Sequence, residues 1–187
     1  MIDDTFIEKW HSKYDELEDD EEQYKKIIDI VSNELSQKGT ISKDTFIDIL
    51  DWKAPRVKGI VRLNEFDTYE KAFRKCFKAP NDEKLAILDK LYGIGVPVAS
   101  TILHFMYPQS FPIMDVRTVE TLYYAGYIES RAKDQKRYIP FRATILTIAK
   151  NYPKWSLRQI DRALFAYHKI YLEPKIKGRE GKTKRCS

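Results

Sequence analysis

Apolar residues recur along most of this chain at helical rather than strand spacing. Phe6, Trp10, Tyr14 and Leu17 follow every three or four positions, as do Tyr24, Ile27, Ile28, Val31 and Leu35 before Gly39. The pattern predicts two amphipathic helices joined by an acidic turn, Asp19 to Glu22. Ser42 is placed to N-cap a helix carrying Phe46, Ile47 and Leu50. That helix must end before Pro55, because a residue preceding proline disfavours the αR region. Asp67 is the expected cap of the next helix, with Tyr69, Ala72, Phe73, Cys76 and Phe77 inward and Pro80 as its stop. Further on, Asp115 opens a helix through Val116, Val119 and Leu122 that closes near Gly126 with an αL-type C-cap. Glu129 to Lys136 reads as a surface loop, and Pro140 as a helix start ahead of Phe141, Ile145 and Ile148. Ser156 caps a last helix through Ile160, Leu164, Tyr167 and Tyr171, and Pro174 ends the ordered fold. No stretch alternates as a strand should, and no repeat of solenoid period occurs, so the expected fold is all-α.

Between two of these helices lies the most informative stretch, Leu88 to Asp115. Leu85, Leu88 and Leu91 share one face before it, and Val98, Ile102 and Phe105 line another after it, with Gly93 and Gly95 between. Two glycines there permit positive φ and leave no Cβ to block approach, so backbone N–H groups from Val96 onward can face an anion. A nucleic-acid phosphate is the natural candidate. Asp115 taken alone reads foremost as the N-cap of the helix from Val116.

Composition narrows the class. The chain has 187 residues, 43% hydrophobic and 13% aromatic, enough for one packed unit. No apolar run approaches the roughly 18 residues that span a bilayer, so no membrane association is expected. The start, MIDDTFIEKW, has neither the basic nor the apolar region of a signal peptide, which places the protein in the cytoplasm or at the nucleoid. Cys76 and Cys186 form no disulfide framework or cluster, and His11, His104 and His168 are scattered, so neither a metal nor a cofactor is expected. The net charge of +5 hides an asymmetry: the first 23 residues hold ten Asp and Glu against Lys9 and Lys13, so the remainder is strongly basic. A basic body favours polyanions through counterion release. The tail 174–187, with six Lys or Arg and one Glu, reads as disordered. Arg158, Asp161 and Arg162 are spaced for i, i+3 and i, i+4 pairing on a solvated face.

The segment LYGIGVPVASTILHFMYPQSFPIMDVRTVETL resembles the signature of the helix-hairpin-helix DNA glycosylases, the endonuclease III-like superfamily of base-excision repair. Leu91, Gly93, Ile94, Gly95 and Ala99 occupy the hairpin places, and Asp115 follows Gly93 by the family's 22 residues. The likeness covers about one third of the chain. It implies a two-lobe helical fold within 1–173, with 1–56 and 141–173 in one lobe and 57–140 in the hairpin-bearing lobe. It implies a monomer on double-stranded DNA, a nucleotide flipped out of the duplex, and Asp115 stabilising positive charge on the sugar as the N-glycosidic bond breaks. Gly93, Ile94, Gly95 and Val96 would hold phosphate, with Arg117 beside Asp115 gripping a phosphate or making a surface ion pair. Trp52, Lys53 and Arg56 lie where relatives carry a loop that enters the gap left by the flipped base: Trp52 to stack, Lys53 or Arg56 to hold phosphate, or else simply a buried Trp. Two departures matter. Members that also cleave the strand place a Lys two residues after the second hairpin glycine, where this chain has Pro97, so the motif implies monofunctional hydrolysis, with Lys53 or Lys58 as other amines nearby. The four-Cys cluster of many relatives is missing. The alternatives are a non-catalytic hairpin protein on DNA and a helical interaction module whose acidic N-terminus docks a basic partner.

Overall fold

In the computed structural model, which describes residues 1–18 and 20–177, the helices that begin after Asp3, Ser42, Asp115, Asp134 and Ser156 start where those side chains accept from free backbone N–H groups. Among the described residues, α-helices run in order as α1 (Asp4–His11), α2 (Glu21–Lys38), α3 (Lys43–Lys53), α4 (Phe66–Lys78), α5 (Lys84–Leu88), α6 (Val96–Met106), α7 (Val116–Tyr124), α8 (Gln135–Asn151) and α9 (Leu157–Tyr167). No strand occurs among the described residues, and the chain is all-α. Ser42 caps α3 by accepting from Thr45 N–H, and Ser156 caps α9 in a reciprocal box with Gln159. Gly39 and Gly126 take the left-handed conformation just beyond α2 and α7. After α7 the Tyr127 N–H reaches back to the Leu122 carbonyl, which closes the helix.

Burial explains the arrangement of the helices. Helix α6 is buried along its whole length, from Val96 to Met106, which suits its nearly continuous apolar sequence and makes it the central element. Helices α2 and α3 pack against α6, while α1 and α7 pack against α9. Ile27, Val31, Ile49, Leu50, Ile102, Phe105, Val119, Leu122, Ile145 and Leu164 belong to one continuous hydrophobic cluster. Two contacts fix the segment that matters for the site. Met114 N–H donates to Ser100 Oγ on α6 at 2.9 Å, and Thr121 Oγ1 on α7 donates to the Leu164 carbonyl of α9 at 3.1 Å.

Several boundaries differ from the sequence reading. Helix α1 stops at His11, and Tyr14 to Glu16 form a 3₁₀ turn from which Asp15, mostly exposed, reaches buried Arg162, while Asp20 beyond it pairs with buried Arg158. Helix α4 begins at Phe66, running out of a 3₁₀ turn at Leu63–Glu65, so Asp67 lies in its first turn and is not its cap. Helix α8 starts before Pro140, at Gln135, with Asp134 as its cap. The bond lost at Pro140 is tolerated because Lys136 and Pro140 are both exposed to water. Pro174 does not end the fold: α9 passes through a π-helical turn, His168–Leu172, into helix over 173–177. The wider turn makes room for a ring that collides with the carbonyl of a regular α-turn. The rest of the basic tail lies outside the described residues.

Candidate active site

Asp115 is built by its local sequence. Extended backbone at φ −114°, ψ 157° lets its Oδ1 accept from Arg117 N–H at 2.9 Å, while its own N–H donates to Thr118 Oγ1 at 3.1 Å. The carboxylate is therefore fixed as the cap of α7, and Met114 behind it is fully buried. The second oxygen is turned to α3, where Oδ2 accepts from Lys53 Nζ at 3.0 Å. Both side chains are mostly buried, 14% exposed for Lys53 and 19% for Asp115. Burial favours the neutral acid at Asp115, but the Lys53 charge, the Arg117 N–H and the Arg117 guanidinium 3.8 Å away outweigh it and hold the group below the usual carboxylate range. Asp115 is thus an ionised carboxylate in a recessed site.

The recess is a cleft of about 200 Å³ lined by Tyr14, Trp52, Lys53, Asp115, Arg158 and Asp161, with Glu18, Asp20, Arg117 and Phe165 completing it. It brings together four residue positions that the sequence singles out, Trp52 and Lys53 from the end of α3 and Asp115 and Arg117 from the start of α7. Lys53 does different work from the phosphate contact expected, and Trp52 takes the packed of its two readings. Trp52 is no protruding wedge: its ring packs edge-on against Phe105 at 5.2 Å and beneath the Arg158 guanidinium at 4.9 Å. Its Nε1–H is buried without a partner among the described residues. The Lys53 ammonium is committed to Asp115 and is not free for a phosphate. Arg117 lies over the Phe165 ring at 4.8 Å.

The hairpin is assembled separately. Only Gly93 has positive φ, at 79°, and a Cβ there would meet Val61 Cγ1 at 3.1 Å and Val61 N at 3.3 Å. The hairpin is locked to the Ile60–Arg62 stretch and to α4: Tyr69 Oη donates to the Tyr92 carbonyl at 2.7 Å and accepts from Arg62 N–H at 3.1 Å. Arg62 stacks on the exposed Tyr92 ring at 4.3 Å. Gly95 differs. It is the N-cap of α6 at φ −93°, a conformation open to any residue, and a Cβ would meet nothing nearer than Pro97 Cδ at 3.9 Å. The Ile94 N–H is spent on the Leu91 carbonyl, and the side chains of Ile94 and Val96 are buried. The Gly95 and Val96 N–H groups have no acceptor among the described residues, as expected of a helix N-terminus. Arg56 is exposed and forms no ion pair among the described residues.

Sequence reasoning missed the far wall. Arg158, Asp161 and Arg162 are buried, not a solvated face. Arg158 donates to Asp161, Asp20 and the Tyr14 hydroxyl, and its guanidinium faces the rings of Tyr14, Tyr24 and Trp52. Arg162 pairs with Asp15 and Glu21. The signal was present as an unexplained surplus of acid in the first helical segments and of arginine on α9. Burial, helped by the nearby Asp115 charge, outweighs the attraction of Arg158 and Lys53 and pushes the Asp161 carboxyl up to about 6. The remaining titratable candidates are structural. His104 bridges Tyr24 and the Phe111 carbonyl, with burial pushing it down to about 4, and His168 contacts Glu120 at 2.7 Å. The Cys76 thiol is buried and pushed up to about 12. Among the described residues no three His, Cys, Asp or Glu side chains gather as metal ligands, and no helix is long and apolar enough to cross a membrane. Comparison with protein-family models, curated proteins and solved structures finds no match to the chain.

Proposed function

We propose that the protein binds double-stranded DNA and hydrolyses the N-glycosidic bond of a flipped nucleotide, as a monofunctional helix-hairpin-helix DNA glycosylase of base-excision repair. The observation that carries this reading is Asp115: an ionised carboxylate, recessed in a cleft with aromatic rings on its walls and held in place as the N-cap of α7. Breaking an N-glycosidic bond develops an oxocarbenium ion, and a fixed negative charge in a partly dry site stabilises it without reorganisation. Tyr14, Trp52 and Phe165 offer ring faces or edges to a base. Gly95, whose lack of a side chain nothing inside the molecule requires, leaves the start of α6 open to close approach by a phosphate.

Screening lesion-containing duplexes, with alkaline cleavage at any abasic product, tests the reading. Excision from at least one lesion, lost in the Asp115→Asn variant, supports it. Salt-sensitive DNA binding with no excision across the panel replaces it by the non-catalytic hairpin reading. Asp15, Asp20 and Glu21 pair with Arg158 and Arg162 inside the chain, which favours the DNA reading over an interaction module by leaving fewer N-terminal carboxylates for a basic partner.

A further inference from the structure

We propose that the protein pairs with a second copy of itself through the outer face of α8, in place of the monomer that the family resemblance implies. Helix α8 carries two apolar stripes. Phe141, Ile145 and Ile148 form the first and are buried in the core. Ile139, Ala143 and Leu146, at i, i+4 and i+7, form the second, along a groove of about 310 Å³ shared with Leu85 and Ala86 of α5. Core packing explains the first stripe, but no described residue covers the second. Ile139 is 72% exposed, more than any other large apolar side chain described except Met1.

Charge identifies what fits. Arg142 lies along the second stripe, its Nε donating to the Ser110 carbonyl at 2.8 Å and its guanidinium stacked on Phe111 at 4.5 Å. It forms no ion pair among the described residues. Asp82, exposed in the turn ahead of α5, lines the same groove and likewise has no cationic partner among them. One surface thus offers an unpaired cation, an unpaired anion, an apolar hollow and a protruding apolar side chain, which makes it its own complement. A two-fold axis brings Arg142 of each copy to Asp82 of the other, and Ile139 of each into the hollow of the other. An axis passing beside Ile139 and Ala143 runs the two α8 helices antiparallel, and the short Ala143 side chain permits their close approach. A foreign helix would have to match both charges and the hollow by coincidence, whereas a second copy carries all of them.

The groove is preformed, which lowers the cost of association. Gln135 Nε2 donates to Asp89 Oδ2 at 2.8 Å, tying α8 to the end of α5, and Tyr138 Oη donates to the Pro112 carbonyl at 3.0 Å. None of its lining residues belongs to the Asp115 cleft or to the Gly93–Val96 hairpin, so the inference goes beyond the DNA reading and does not depend on it. A surface of about three helical turns is at the small end of protein interfaces, which places the dimer in the micromolar range.

Sedimentation velocity and light scattering of the full-length chain, from about 1 to about 100 μM, test this. The expected mass rises with concentration from 22.1 kDa toward twice that value. Ile139→Glu should weaken the dimer at least about 10-fold, by placing a charge in the apolar hollow, and leave the urea midpoint of the monomer unchanged. Asp82→Arg and Arg142→Asp should each weaken it by about 10-fold or more through like charges across the axis, and the double variant should recover to within about 3-fold. Asp82→Arg, in an exposed turn, carries the charge test should Arg142→Asp lose its Ser110 contact and misfold. A constant 22.1 kDa across the range overturns the proposal, whatever ligand or other protein then fills the groove. A dimer that survives Ile139→Glu also overturns it, by placing the interface elsewhere. So does a dimer indifferent to Asp82→Arg, or a folded double variant that fails to recover, because the reciprocal pairing is then absent.

Discussion

A carboxylate that caps a helix and one that stabilises a cation make different demands at position 115, and substitution separates them. Asn caps about as well as Asp, so Asp115→Asn retains the cap but leaves the Lys53 ammonium without its partner. The expected stability loss is about 1 to 3 kcal/mol, the cost of an unsatisfied, mostly buried donor, read by urea unfolding. Excision should fall by at least about 100-fold, because the charge facing the sugar is gone. Near-normal excision would reduce Asp115 to a cap. Acid titration gives a second handle, since Asp115 and Asp161 bias stability in opposite senses. The depressed Asp115 carboxyl contributes stability that is present above its unfolded value of 3.8 and lost as pH falls through its lower folded value. The Asp161 carboxyl, raised from 3.8 to about 6, binds its proton more tightly when folded, so its contribution to stability falls as pH rises across that window. Unfolding curves from pH 3.5 to 7 should show that second slope in the native protein and lose it in Asp161→Asn. An unchanged slope would mean that Asp161 is ionised throughout.

The two hairpin glycines answer different questions at the scale of the element. Gly93→Ala places a Cβ at positive φ, 3.1 Å from Val61 Cγ1, and should destabilise by about 1 to 3 kcal/mol. Gly95→Ala meets open space at an ordinary φ and should fold as well as wild type, yet bind DNA at least several-fold more weakly by obstructing the phosphate. Equal folding and equal DNA affinity in Gly95→Ala would remove the start of α6 from the interface. This division also marks what a sequence can disclose. Helix existence was legible almost throughout, because burial on one face leaves a period, and the caps at Ser42, Asp115 and Ser156 were legible because capping is local chemistry. Illegible were the early end of α1, the start of α8 and the passage through Pro174, where contacts made far along the chain or solvation of an exposed face overrode local signals. The cleft was half legible. Trp52, Lys53, Asp115 and Arg117 stood out by position, but the pairing of Lys53 with Asp115 spans 62 residues, and periodicity carries no information at that distance.

Charge is the property of the whole molecule that decides how DNA would be held. The chain's net +5 is unevenly spent. Arg158 and Arg162 are 5–6% exposed and neutralised by Asp15, Asp20, Glu21 and Asp161, so they knit the N-terminal segment to α9 and are unavailable to phosphates. Among the described residues, exposed cations in and around the hairpin lobe include Arg56, Lys90 and Arg62, the last 3.6 Å from Glu65. A footprint of about four to six phosphates gives a log–log slope of affinity against salt near −4 to −5 on B-DNA. Each arginine class then predicts its own pattern. Arg56→Gln should reduce the magnitude of that slope by about 1 and leave the unfolding midpoint unchanged, as expected for a phosphate contact. Arg162→Gln should leave the slope unchanged and cost about 1 to 3 kcal/mol of stability, because it strands Glu21 and frees Asp15. Affinity measured from 50 to 300 mM salt, alongside urea unfolding of both variants, checks the pair. A slope change in the Arg162 variant would mean that the acidic segment lifts away from α9 when DNA binds, and a native slope near zero would sink the DNA reading itself.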